Sequence, residues 1–211
     1  MRYKSIFNRK CKITFIRHGS TIYSEENRLL DGENYPPLNE NGRMEMEKIS
    51  NWVVQKGLKI DKIYASPALR SIQSARILSK ACKQDFEIID ALKSKKAGKW
   101  SGLTFEQIET KYPEMLEQYR KDPENYWASE GETTSELNKR TAETIENIIK
   151  ENIGNRLIIL THGEIIQAAI KNALEIPGKN QFKVYIPTGS ATQISYYSDW
   201  ASLIYSAYLP L

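Results

Sequence analysis

Cysteine and histidine are both scarce in this chain, with two of each in 211 residues. The cysteines, Cys11 and Cys82, match no ligand or redox spacing, so they are read as free thiols in a reducing compartment. No apolar run reaches the length needed to cross a bilayer. No charge sign dominates either: 30 Lys and Arg stand against 26 Asp and Glu, and the net charge is +4. The basic residues are scattered among acidic ones, whereas nucleic-acid binding calls for a concentrated basic face. Neither a nucleic acid nor a membrane is therefore expected as partner. The segment Met1–Lys12 is basic but too poor in apolar residues for a signal peptide, so residues 1–11 are read as a short tail and the cytoplasm as the default location. Hydrophobic residues at 40% and charged residues at 27% are ordinary for a globular protein, and nothing in the composition divides the chain. A single domain over residues 1–211 is expected.

What is present alternates between short apolar runs and helical stretches. Ile13-Thr14-Phe15-Ile16 reads as a buried strand, because β-branched and aromatic residues run together. Residues 39–55 carry Met46, Ile49 and Val53 at helical spacing, with Gly57 as the stop. Lys62–Ala65 is a second strand, and Pro67 suits the first turn of a helix to about Ala81. Residues 86–89 form a third strand. Residues 104–119 are helical with a break at Pro113. Thr133 or Thr134 is expected to cap a helix to Lys150, and Thr133 with Glu136 fits a capping box. Leu157–Leu160 is the clearest buried strand, followed by a helix from about Ile165 to Leu174. Strand-like runs follow at residues 182–186, 192–197 and 203–208. Strands alternating with helices predict an α/β fold: a three-layer α/β/α sandwich with a mostly parallel central sheet. Ligands in such sheets sit at the carboxyl ends of the strands.

Both histidines follow a predicted strand and precede a glycine, in Ile16-Arg17-His18-Gly19 and Leu160-Thr161-His162-Gly163. A satisfied core histidine explains one such residue but not two at equivalent places. Glycine lets the backbone turn sharply and lets a ligand approach closely. Zinc is a poor guest, since neither histidine has a cysteine or carboxylate at ligand spacing and Arg17 repels a cation. An anion suits the place better. Arg70, placed one turn into the helix after the second strand, adds a second guanidinium, and guanidinium forks bind phosphate oxygens in bidentate fashion. A helix start also favours anions.

These residues carry a resemblance. Residues 15–21, Phe-Ile-Arg-His-Gly-Ser-Thr, resemble the signature of the histidine phosphatase superfamily, in its phosphoglycerate mutase-like branch. Leu38-Asn39-Glu40-Asn41-Gly42, the arginine segment Ser66–Ala75, Gly98-Lys99-Trp100-Ser101-Gly102, Gly131-Glu132-Thr133 with Arg140, and Thr161-His162-Gly163 resemble its further motifs in family order, over roughly residues 12 to 195. The resemblance implies a phosphoglycerate mutase-like fold and a phosphomonoesterase without cofactor or metal, acting on a small phosphorylated substrate. His18 would be the nucleophile that forms a phosphohistidine. Arg17, Arg70 and His162 would hold the phosphoryl oxygens, with the backbone near Gly19 and Gly163 adding donors.

Two positions depart from the family pattern. Ser24 stands where members carry an asparagine, and its hydroxyl can still donate to a phosphate oxygen. Ser94 stands four residues before Gly98, where members place the glutamate that protonates the leaving oxygen. A serine hydroxyl is a very poor acid. Glu164, next to His162-Gly163, is the alternative donor, although an acid in the first turn of a helix is also favoured by the helix dipole. Two rival readings follow: a non-catalytic phosphate-binding pseudophosphatase, supported by Ser94, and a mutase-type phosphotransferase. The short chain favours hydrolysis over the latter.

Overall fold

A computed structural model describes residues 9–29 and 36–210. Six strands form one sheet in the order β3-β2-β4-β1-β5-β6. These are β1 (Arg9–Arg17), β2 (Lys62–Ala65), β3 (Phe86–Ile88), β4 (Arg156–Thr161), β5 (Ala191–Tyr197) and β6 (Ala201–Tyr208). The first four run parallel, and β5 is antiparallel to both β1 and β6. Seven helices accompany them among the described residues: α1 (Ile22–Glu25), α2 (Glu40–Gln55), α3 (Leu69–Cys82), α4 (Phe105–Lys111), α5 (Pro113–Lys121), α6 (Thr134–Glu151) and α7 (Gly163–Leu174). The α/β sandwich with a mostly parallel sheet is thus the fold observed.

Alternation along the central strands divides the core. Ile13 and Phe15 of β1, with Leu157 and Ile159 of β4, pack against Ile145 and Ile148 of α6 and Ile165, Ile166 and Ile170 of α7. Their neighbours Ile16, Ile158 and Leu160 face the other way, onto Met46, Ile49 and Val53 of α2 and Ala75 and Leu78 of α3. Because both faces of β4 are covered, its sequence is a continuous apolar run rather than an alternating one. A third cluster stands apart, built from Trp100, Ile108, Leu116 and Ala128, with Tyr119 and Trp127 packed against it. It joins α4 and α5 into a wall above the carboxyl ends of the strands.

Four expectations need correction. Residues 9–11 are not tail: β1 begins at Arg9, and Cys11 is fully buried between sheet and helices. The rest of the supposed tail, residues 1–8, lies outside the described residues. Pro67 does not enter a helix; α3 starts at Leu69 after an extended cap at Ala68, so Arg70 is its second residue rather than one turn in. Residues 182–186 form no strand. A 3-10 helix over Gly178–Lys183 ends there, and the place beside β1 is taken by β5.

Candidate active site

The chain leaves β1 toward β2 on one side of the sheet and leaves β4 toward β5 on the other. The crevice between the carboxyl ends of these two neighbours is the topological switch point, where open α/β sheets bind ligands. His18 follows β1 and His162 follows β4, and their ring centroids lie 5.2 Å apart. The pairing of Arg17 with Thr161 in the β1–β4 ladder sets that distance, and the His18 amide donates to Thr161 O at 3.0 Å.

Each imidazole has a defined tautomer. His18 Nδ1 lies 2.8 Å from Gly19 O; a carbonyl only accepts, so Nδ1 carries the proton and Nε2 keeps a lone pair. His162 Nδ1 lies 3.3 Å from Arg70 Nη2, and a guanidinium only donates, so here Nδ1 is the acceptor. His162 Nε2 then donates to Ser66 Oγ at 2.8 Å. Burial, followed by the charges of Arg70 and Arg17, holds His18 well below the usual imidazole range. Burial and then Arg70 do the same to His162. Both rings are therefore neutral at pH 7, and His18 presents an unprotonated nitrogen.

The arginines supply the charge. Arg70 is fully buried, and its Nη2 also donates to Ser94 Oγ at 3.1 Å. Burial lowers it to about 10, opposed by Glu164. Arg17 donates through Nη1 to Ile186 O at 2.5 Å, while its buried Nε has no partner among the described residues. An unsatisfied buried guanidinium nitrogen is costly unless a ligand completes it.

Arg17, His18, His162 and Glu164 line a cavity of about 290 Å³. Lys95 enters it from the loop after Ser94, and Tyr119, Trp127 and Phe105 wall it from the α4–α5 cluster. Glu164 is thus brought to the pocket, where Oε1 accepts the Lys95 amide at 3.1 Å. Among the described residues, no three His, Cys, Asp or Glu side chains are grouped to hold a metal.

Other expected donors are otherwise engaged. The Gly19 amide donates to Ser74 Oγ at 3.2 Å. Ser24 Oγ donates to Thr21 O at 2.9 Å and accepts the Thr21 amide at 2.8 Å, closing the capping box of α1. Neither Gly19 nor Gly163 adopts a positive φ, so the sharp-turn argument does not apply to them. What Gly19 provides is close approach: a Cβ there would stand 2.2 Å from Gly42 O at the start of α2. At Gly163 a Cβ would sit in ordinary contact, 3.5 Å from Arg17 Nε.

Sequence reasoning missed Ser66, Lys95 and the role of Arg140. Ser66 was findable, since it follows β2 as the histidines follow β1 and β4. Arg140 entered only as part of a motif. It grips Glu132 through two nitrogens at 2.9 and 2.8 Å and donates to Ala91 O at 2.6 Å and Lys93 O at 3.1 Å. Nothing local marks Lys95, whose ammonium meets Trp127 only in the folded chain.

Known proteins resemble this chain in sequence and in fold. A bifunctional protein of Mycobacterium tuberculosis is 24% identical over 193 residues, 92% of this chain and 52% of that protein. The chain thus spans about half the length of that relative. A metal-independent phosphoserine phosphatase of Arabidopsis thaliana is 26% identical over 160 residues, 74% of this chain and 66% of its own. Among solved structures, YhfR of Bacillus stearothermophilus superposes with a TM-score of 0.84 at 21% identity, covering 93% of this chain and 96% of that one. The model of the histidine phosphatase superfamily (branch 1) matches residues 13–205, which take in both histidines, Arg17 and Arg70. This chain belongs to the histidine phosphatase superfamily, branch 1.

Proposed function

We propose that the chain is a single-domain phosphomonoesterase that hydrolyses a small phosphate ester through a phosphohistidine on His18, without a metal. The observation that carries this reading is the tautomer of His18: Nδ1 is tied to Gly19 O, so the lone pair belongs to Nε2. In the first step Nε2 bonds to phosphorus as the ester P–O bond breaks. In the second, water attacks phosphorus, the P–N bond breaks and phosphate leaves. Arg17, Arg70 and His162 stand around the phosphoryl group, where fixed positive charge and donors stabilise a transition state that needs little else. The open Nε of Arg17 is a ready phosphate donor. Glu164 balances the cations: its charge opposes the lowering of both Arg17 and Arg70. The name of the Arabidopsis relative, a metal-independent phosphoserine phosphatase, supports hydrolysis and the absence of a metal requirement.

Ser94 favours the rival reading of a phosphate-binding protein without turnover. Phosphoenzyme trapping separates the two. Labelled phosphate should be retained on wild type after a denaturing quench under conditions that preserve phosphohistidine, and be absent from His18→Ala. Turnover should fall by at least about 10³-fold in that variant and survive exhaustive chelation. Full activity in His18→Ala, or a chelation loss restored by magnesium, refutes the mechanism. Wild type without label or turnover establishes the binder.

A further inference from the structure

The residue at the expected acid position cannot donate a proton usefully. The Ser94 hydroxyl is a very weak acid, and it accepts from Arg70 Nη2 at 3.1 Å. The next side chain enters the cavity instead. Lys95 projects from a firmly held backbone: its own amide donates to Glu164 Oε1, and Arg140 holds the carbonyls of Ala91 and Lys93 just before it. Its ammonium lies 3.3 Å from the centroid of the Trp127 ring and donates to Thr134 Oγ1 at 3.0 Å. It forms no ion pair among the described residues. A cation fixed over an indole face, in the same cavity as the nucleophile, retains protons for an oxygen arriving from the ligand.

We propose that Lys95 is the proton donor to the leaving oxygen, in place of the glutamate missing at position 94. This rests on the reading of His18 as nucleophile. As Nε2 of His18 bonds to phosphorus, the electron pair of the breaking P–O bond goes to the leaving oxygen, which takes a proton from Lys95 Nζ. The neutral amine then accepts a proton from the water that attacks phosphorus, and the cycle closes with no external acid.

The surroundings make the chemistry feasible at neutral pH. Burial lowers Lys95 to about 7, against the opposing charges of Glu164, Glu132 and Glu136. Arg17, Arg28, Glu164, His18, His162 and Tyr119 face the same cavity. A general acid near the working pH is both protonated often enough and acidic enough to act.

The test compares alkyl phosphates, whose alkoxide needs a proton, with aryl phosphates of acidic phenols, which leave as anions. Wild type is expected to hydrolyse both, with alkyl turnover falling as pH rises through about 7. Lys95→Met is expected to lose about 10²–10⁴-fold on alkyl esters and less than about tenfold on aryl esters. Aryl turnover also reports that the variant is folded. Lys95→Arg keeps the charge but has no dissociable proton in this range, so alkyl turnover should stay low. Rescue by arginine, or equal losses on both ester classes, makes Lys95 a charge for binding and overturns the proposal. So does a selective alkyl loss in Glu164→Gln with Lys95→Met unaffected. Failure of wild type to form phosphohistidine removes the His18 reading and this proposal together; the other adverse outcomes leave the phosphohistidine in place and remove this proposal alone.

Discussion

Arg70 shows how one side chain can carry several jobs. Its Nη2 reaches both His162 Nδ1 and Ser94 Oγ, and its charge is the largest influence on His18 after burial. Two substitutions separate these effects. Arg70→Lys keeps a charge but loses the planar fork, so kcat/KM should fall by about 10-fold or more with little movement of its acid limb. Arg70→Met removes the charge that depresses His18, so the acid limb should move upward toward pH 6.5. A limb that is unchanged in Arg70→Met would show that burial alone keeps His18 neutral. The residues of this site were legible because histidine is rare here and each copy ends a strand. Lys95 was not, since its environment comes from Trp127 and Thr134, far along the chain.

Elements whose limits depend on local chemistry matched the sequence. The capping box of Thr133 and Glu136 starts α6 where expected, and β2 has the bounds its apolar run suggested. Elements set by partners did not. Residues 9–12 are mostly polar, yet β5 and β4 draw them into the sheet. Residues 182–186 are apolar or aromatic apart from Lys183, yet they form no strand. The same distinction predicts stability. Thr133→Ala removes one cap and should cost about 1 kcal/mol. Gly42→Ala should cost more, in the upper part of the roughly 1–3 kcal/mol range of overpacking or beyond it. Its Cβ would stand 2.1 Å from Ser20 O, a backbone atom that cannot rotate aside. Urea midpoints of the two variants check the order, and a Gly42→Ala protein as stable as wild type would contradict the close packing of the Gly19-Ser20 segment on α2.

For the whole molecule, the two neutral histidines tie stability to pH. Both are held well below 6.5 by burial, whereas in the unfolded chain they titrate near 6.5. Above that pH neither state binds the proton. Below it the unfolded state gains protons that the folded state refuses, so stability falls as pH falls. The slope should approach about 1.4 kcal/mol per pH unit for each histidine. Urea midpoints between pH 7.5 and 5 measure it, and His162→Asn should roughly halve it. A midpoint independent of pH over that range would mean that the rings accept protons when folded.

The pairing of β1 with β4 and β5 has a consequence for how the chain comes to life. His18 lies near the start of the described residues, but the strands that hold it in place lie at 156–161 and 191–197. About two thirds of the chain must be closed into a loop before His18 meets His162. Helices such as α6 can form early from local contacts, whereas pairings between distant segments come late. On a ribosome the first strand emerges long before its neighbours and waits for them. Catalytic competence should therefore arrive with the final closure of the sheet, after helical content is complete. Regain of activity in a refolding experiment becomes a clock for that last event.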